Sequence, residues 1–469
     1  MKKPNLVFVF ADQMRAMDIN RMGNRQVTSP NLDRLCDEGG SFSTCVSCFP
    51  VCSPYRASLI SGKYPTSVDV LDNDVPLPIN GQGFGFALKS AGYTTGWIGK
   101  WHLYGGEHLR TAFIPPGEHR HGFDEFTGVN CAHQYFDYFY YKNDDPQKVF
   151  FKGYEPDIQT DLAIEYIEKN KDRPFSLFVS YGTPHDPFYD VPQKYKNMYN
   201  SEELLFRDNV DPGKLLYDDS LPGNTPNLDS ANPKSVYSMH DHYDNSWENR
   251  GFPQKEVLRD YYAAITALDY NIGRLTDRLR TLNLLDDTII VFTSDHGEMM
   301  YSQGLVQKNH PYDESVMVPF IVRCNGIQPG TEISAPFNTP DIMPTLLELM
   351  DIDPPDYCEG TSFAAALRGE QQELPSAAYI MCSWDWAVPE WRGIRTDRYS
   401  YIETKAGPFA MFDNHTDPFQ LHNLIDNPDF ISVRDVLKEQ YVHLQQKIGD
   451  PFEPWDIIKE RMRQKREVF

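Results

Sequence analysis

Ten side chains in this sequence are of the kinds that bind and cleave a tetrahedral oxyanion ester: Asp12, Gln13, Cys52, Arg56, Lys100, His102, His185, Asp295, His296 and Lys308. Cys52 opens the stretch Cys-Ser-Pro-Tyr-Arg-Ala-Ser-Leu-Ile-Ser-Gly, where Ser53 suits a helix N-cap, Pro54 the first helical position and Gly62 the stop. That spacing sets Cys52 at the mouth of a helix, with Arg56 about one turn inside. A thiol there is acidified by free backbone N–H groups and the positive end of the dipole, and the same end attracts anions. The plainer reading, a small buried cysteine ahead of a helix, stays open at this point. Asp12 and Asp295 offer hard oxygen ligands, Gln13 another oxygen and His296 a nitrogen. Such a set favours Ca²⁺ or Mg²⁺, and its imidazole leaves Mn²⁺ or Zn²⁺ open. A dication beside Cys52, with Arg56, Lys100 and Lys308 around it, would stabilise charge developing in transfer. His102, His185 and Lys308 would move protons to and from nucleophile and leaving group. The set suits a phosphate or sulfate ester hydrolase better than an acyl hydrolase.

The elements that must carry these groups are legible in order. Leu6 to Phe10 is a continuous apolar run of β character, ending in Asp12-Gln13. A helix from Thr28-Ser29-Pro30 through Leu35 stops at Gly39-Gly40. After the Cys52 helix come a helix from Phe84 to Ser90, stopped by Gly92, and a strand from Thr94 to Ile98 that ends in Gly99-Lys100-Trp101-His102. A third unit joins a helix from Asp157 to Asn170 to a strand from Phe175 to Tyr181, followed by Pro184-His185. A fourth joins a long helix from Gln254 to Leu284 to a strand from Thr288 to Phe292, followed by Asp295-His296. Val318 to Arg323 is a further short strand. This alternation predicts an α/β fold with a mostly parallel central sheet flanked by helices. Four strand ends then deliver chemistry to one rim, where ligands bind in open α/β sheets.

Residues 186–253 are rich in Asp, Asn, Pro, Tyr and Ser and read as an irregular rim insertion, and 103–156 look similar. The aromatics from Tyr135 to Tyr141 either stack on a sugar or fill a core, and core is favoured. From Ala377 the texture changes to short strands (Ala378–Cys382, Gly393–Arg395, Tyr399–Ile402, Ala410–Asp413) and a helix from Val433 to Ile448. The expected division is a catalytic α/β domain over 1–376 and a smaller α+β subdomain with short antiparallel strands over 377–469.

A formal net charge of −23 argues against nucleic-acid and anionic-membrane partners, so an anionic substrate needs a local basic pocket. The basic run Lys459 to Arg466 reads as a solvated helix face. No stretch approaches the ~18 apolar residues of a membrane helix. Lys2-Lys3 followed only by Leu6 to Ala11 is too short for a signal sequence, so the expectation is a cytoplasmic protein, or a secreted or periplasmic one whose leader has been removed. Eight cysteines in a chain this long form no disulfide framework, and Cys45-x-x-Cys48 leaves zinc a minor option.

Taken together, the motifs resemble a type I, formylglycine-dependent sulfatase of the alkaline phosphatase superfamily. The family signature stands here as Cys52-Ser53-Pro54-Tyr55-Arg56 with Leu59 and Ser61-Gly62. The resemblance extends to Ala11-Asp12-Gln13 after an apolar strand, Gly99-Lys100-Trp101-His102, Pro184-His185, Ser294-Asp295-His296-Gly297-Glu298, Lys308 before Pro311-Tyr312-Asp313-Glu314, and Arg395-Thr396-Asp397-Arg398-Tyr399. It implies an alkaline-phosphatase-like fold.

The resemblance implies that a maturation enzyme oxidises Cys52 to formylglycine, whose hydrated aldehyde attacks sulfur and expels the alcohol. His102 then takes a proton as sulfate is released. Arg56 and Lys100 would steady the hydrate, and His185 and Lys308 would face the sulfate and leaving oxygen. Asp12, Gln13, Asp295 and His296, with the Cys52-derived group, would hold Ca²⁺, with Mg²⁺ or Mn²⁺ as alternatives. The helix mouth would be part of the sulfate cradle. Three departures stand out: Gln13 replaces the second acid of the usual pair, His296 stands where many members have Asn, and Tyr55 replaces the common Ser. Relatives with Asp-Gln and Asp-His include phosphonate monoester and phosphodiester hydrolases. The expected activity is hydrolysis of a sulfate ester on a saccharide. A phosphonate or phosphodiester hydrolase is the nearest alternative, and a non-catalytic binding protein with unconverted Cys52 is one of another class.

Overall fold

The computed structural model describes residues 3–211, 254–383 and 390–467. Asn5–Asp12 forms a strand buried along its whole length. Its alternate side chains enter different cores, Leu6, Phe8 and Phe10 on one face and Val7, Val9 and Ala11 on the other. This is the period-two placement of a strand covered on both sides. Ile289 and Val291 against Ile290 and Phe292 repeat it in Thr288–Ser294. Each fully buried side chain of this size contributes about 1.5–3 kcal/mol of transfer free energy, so the strand ends are held by a stiff base.

Ten strands make the main sheet, in the order Thr331–Ile333, Gly40–Phe42, Phe320–Arg323, Thr288–Ser294, Asn5–Asp12, Phe175–Pro184, Thr94–Lys100, Glu125–Val129, Phe139–Lys142 and Asp145–Phe150. The five from Thr288–Ser294 to Glu125–Val129 are mutually parallel. Phe320–Arg323 runs antiparallel to Thr288–Ser294. Helices Pro30–Glu38, Glu155–Asn170 and Gln254–Thr281 fill one face; Cys52–Ser61, Phe84–Ser90 and Thr339–Leu349 fill the other. A second, antiparallel sheet joins Ala377–Cys382, Trp391–Thr396, Tyr399–Thr404 and Gly407–Asp413. Its Tyr379, Ile394, Tyr401 and Met411 share the core of the Cys52 helix. The helix Ile431–Ile448 packs on this sheet.

Several expectations need correction. The Cys52 helix starts two residues early, at Cys52 with Val51 as N-cap, because Ser53 Oγ is drawn away to donate to the His102 carbonyl at 2.8 Å. Residues 103–156 are not irregular throughout, since three strands within them extend the main sheet. Asp145–Phe150 is exposed at every position, which removes the apolar alternation that marks a strand. Buried Tyr135 and Tyr141 bear out the core reading of the aromatic run. The basic run lies on the helix Trp455–Glu467 and is not only solvated: Arg461 and Lys465 pair with Asp69, and Arg466 with Asp72. Of the expected rim insertion, residues 212–253 lie outside the described residues.

Candidate active site

The four chemistry-bearing strands are neighbours, in the order Thr288–Ser294, Asn5–Asp12, Phe175–Pro184 and Thr94–Lys100. Their C-terminal ends therefore deliver Asp295-His296, Asp12-Gln13, His185 and Lys100-His102 to one edge. Gln13 and His102 sit just past two of these ends with φ of 68° and 59°. Non-glycine residues seldom adopt that conformation, and it concentrates at functional sites. Gly297 is required for close approach, because a Cβ there would lie 1.9 Å from the Glu314 carbonyl oxygen.

The groups converge on Cys52. Its Sγ is 3.3 Å from His296 Nε2, 3.5 Å from Lys308 Nζ, and 3.7 Å from both Lys100 Nζ and Asp12 Oδ1. Burial pushes the thiol up, but Lys100, Lys308 and His296 together bring it well below the ordinary cysteine value. The helix mouth gives less than expected. Ser53 N–H donates to Asn73 Oδ1 at 3.0 Å, Tyr55 N–H donates to the Val51 carbonyl, and Pro54 has none. The acidity comes from cations on neighbouring strands and loops.

Arg56 lies beneath this group. Its Nη2 donates to Asp12 Oδ2 and Asp295 Oδ2, both at 3.1 Å, while Nη1 donates to the Lys100 carbonyl and Ser180 Oγ at 2.8 and 2.7 Å. The guanidinium ties the two carboxylates together and packs 4.9 Å from the centre of the Phe10 ring. Asp12 also accepts from Lys100 Nζ at 2.6 Å. Burial raises the Asp12 carboxyl, and Lys100, His185 and Arg56 more than reverse it; Asp295 stays raised by burial and by Asp12.

Donor atoms of Asp12, Cys52, Asp295 and His296 lie within 4.8 Å of one another. Two carboxylates and an imidazole fit a divalent ion, with the carboxylates favouring a hard one. Gln13 stands beside this cluster, its Oε1 accepting from Lys308 Nζ at 2.9 Å and its Nε2 donating to Glu298 Oε2 at 2.5 Å. Cys45 and Cys48 are buried, with thiols pushed up by burial, and join no cluster of possible metal ligands among the described residues. The Cys45-x-x-Cys48 pair therefore forms no zinc site among the described residues.

Two histidines have distinct settings. His102 Nε2 bonds Asp74 Oδ1 at 3.1 Å, and Arg110 grips the same carboxylate through two bonds of 2.9 and 2.6 Å. Its buried Nδ1 has no hydrogen-bond partner. Burial lowers this imidazole, but Cys131 and Asp74 raise it further, to about 10. His185 Nε2 faces Lys308 Nζ at 2.9 Å, and its Nδ1 is 2.9 Å from the Asp186 carbonyl. Burial and Lys308 lower the His185 imidazole, but Asp186 and Asp12 raise it further, to about 10. Sequence reasoning missed Asp74, Arg110, Cys131, His133 and Glu298 as members of the site; of these, Glu298 alone lies within a family-like motif.

Positive charge gathered around one nucleophile position, above paired carboxylates, defines a hydrolase of tetrahedral oxyanion esters on an alkaline-phosphatase-like scaffold. The chain belongs to the sulfatase family and is a sulfuric ester hydrolase: the family model "Sulfatase" matches residues 4–352, and the model "N-sulphoglucosamine sulphohydrolase, C-terminal" matches 302–447. It is 37% identical over 465 residues to an ulvan-active sulfatase of Formosa agariphila, covering 97% of this chain and 83% of that protein. It is 25% identical, with a TM-score of 0.80, to a protein solved in complex with its substrate D-glucosamine-2-N,6-O-disulfate, covering 97% of this chain and 99% of that one. The phosphonate monoester hydrolase of Agrobacterium radiobacter shares the fold at 20% identity and a TM-score of 0.72, covering 95% of this chain and 96% of that one. Membership implies a divalent metal and a formylglycine made from the signature cysteine. No described helix is long and apolar enough to cross a membrane.

Proposed function

We propose that this sulfatase removes a sulfate ester from a saccharide, using formylglycine derived from Cys52 and a bound Ca²⁺. The observation that carries the reading is the approach of Lys100, Lys308, His296 and Asp12 to Cys52 Sγ within 3.7 Å. The ulvan-active relative and the neighbour bound to a sulfated glucosamine support a saccharide.

Asp12, Asp295 and His296 would hold the metal, with Gln13 oriented beside it by Glu298. When bound, the ion supplies electrostatic stabilisation of the sulfate oxygens, and hydrated formylglycine supplies the nucleophilic hydroxyl. Lys100 and Lys308 offset negative charge on the sulfuryl group. His185 and Lys308, facing one another at 2.9 Å, would supply the proton to the leaving alcohol oxygen. His102 is oriented by Asp74, and its Nδ1, unpaired in the resting site, is where a proton would be exchanged with the nucleophile. Arg56 ties Asp12 and Asp295 together and holds both in place. Net, one water and the ester become alcohol and sulfate.

The substitutions Gln13 and His296 favour a second reading, a phosphonate monoester or phosphodiester hydrolase. Parallel assays with nitrophenyl sulfate and a phenyl phosphonate ester separate the two, followed by a desulfation screen over ulvan and glycosaminoglycan oligosaccharides. Higher kcat/KM on the sulfate and sulfate release from a saccharide are expected. A far higher kcat/KM on the phosphonate would overturn the sulfatase assignment.

A further inference from the structure

His133 lies in the active site although no signature motif contains it. Its ring is flat against that of His185, with centroids 4.0 Å apart and planes 5° from parallel. Its Nε2 is 3.0 Å from Lys100 Nζ. An ammonium has no acceptor, so Lys100 donates, Nε2 accepts, and the ring proton must sit on Nδ1. The residue keeps part of its surface at the mouth, yet enough of the ring is desolvated that burial, then His185 and Lys100, hold it well below the ordinary imidazole value. The ring is therefore neutral, with a single N–H.

That N–H has no partner. Nδ1 makes no hydrogen bond among the described residues, and it is absent from the buried polar atoms left unpaired, so it reaches solvent. Other polar groups around it are engaged: Lys100 with Asp12, His185 with Lys308 and Asp186, and Lys308 with Gln13. The ring that carries this free donor is stacked on His185, the residue assigned to the leaving oxygen.

We infer that His133 is a specificity residue that contacts the leaving group, its Nδ1–H donating to a hydroxyl of the sugar beside the sulfated carbon. The inference rests on the saccharide reading proposed above. An aryl sulfate has no such hydroxyl and would not use the contact. A lost hydrogen bond of this kind corresponds to about tenfold in affinity.

The test compares wild type, His133→Gln and His133→Asn on nitrophenyl sulfate and on a sulfated ulvan oligosaccharide. Gln reproduces the acceptor for Lys100 but not the donor at the Nδ1 position; Asn reproduces that donor. The expected result for His133→Gln is a loss of about tenfold in kcat/KM for the oligosaccharide relative to kcat/KM for nitrophenyl sulfate, carried by KM for the oligosaccharide. In His133→Asn, KM for the oligosaccharide returns toward wild type. An unchanged oligosaccharide KM in His133→Gln overturns the assignment. So does an equal fall of kcat on both substrates, which would mean that the ring only supports Lys100. Wild-type protein that cleaves nitrophenyl sulfate but no saccharide overturns the substrate reading instead.

Discussion

Gln13 and Glu298 meet side chain to side chain, the amide Nε2 donating to the carboxylate Oε2 at 2.5 Å. Glu298 is buried and also accepts from the backbone N–H groups of Met300 and Gln307, so its position is set independently of Gln13. This explains the amide where an acid is usual: a carboxylate at 13 would face a second, immovable one. Gln13→Glu should lower unfolding stability by about 2 kcal/mol or more, because a like-charged buried pair has replaced a charge-assisted bond. Urea denaturation at neutral pH measures it, and a variant as stable as wild type would contradict the account.

The metal cluster yields a prediction that does not depend on turnover. Asp12 and Asp295 are fully buried, and Arg56 faces both from one side only. A cation binding the native state alone raises stability by about 2.7 kcal/mol at 100 times its dissociation constant. The wild-type melting temperature should therefore climb with Ca²⁺ and fall with chelator, while Asp295→Asn shows little response. Equal calcium shifts in both proteins would place the ion elsewhere.

Asp74 positions His102 rather than touching substrate. Burial raises its carboxyl, and the bonds from His102 and Arg110 take it well below the usual carboxylate range. Asp74→Asn keeps the shape but lets the ring rotate or change tautomer. In the Ser-His-Asp triad the corresponding change removes about 10⁴ in kcat. Here a fall of at least about 100-fold in kcat, with KM nearly unchanged, is expected in steady-state assays; kcat within about threefold of wild type would remove Asp74 from the mechanism.

Acid stability offers a test that does not depend on turnover. Burial pushes both His121 and His310 down to about 4, the former helped by His119. Both are neutral in the native state near pH 5, whereas the unfolded chain protonates them from about 6.5. The unfolded state thus binds more protons between these values, and stability falls as the pH drops. Each ring accounts for about 3 kcal/mol, complete above pH 6.5 and lost as the pH falls through 4. Asp269, Asp341 and Glu155, raised mainly by burial to about 6, 7 and 8, act in the opposite sense over the same window. The informative quantity is the difference between proteins. From pH 7 to 4.5, His310→Gln should lose about 2 kcal/mol less unfolding free energy than wild type, and parallel losses would contradict the assignment.

The strand-end groups were legible because a parallel sheet covered on both faces writes each strand as an unbroken apolar run, and the residues just past the end of each run lie on the ligand edge. Asp12, Lys100, His185 and Asp295 needed nothing more. Asp74, Cys131 and His133 were not legible, since they lie on irregular chain whose place depends on tertiary contacts. The turn carrying Asp74 caps the Cys52 helix through Asn73 and is itself held by Arg466, almost four hundred residues away. Ser53 misled for the same kind of reason, its hydroxyl going to a carbonyl from another strand end. Arg56 was correctly placed near Cys52, but its binding of Asp12 and Asp295 could be seen only in three dimensions.

The central claim is that sulfate is released at the Cys52 position. The most direct measurement is sulfate release from nitrophenyl sulfate by wild type and Cys52→Ala, both co-expressed with a formylglycine-generating enzyme and loaded with Ca²⁺. Removing a covalent nucleophile should lower kcat by at least about 1,000-fold while the protein remains folded. A Cys52→Ala protein retaining activity within about tenfold of wild type would show that the chemistry happens elsewhere.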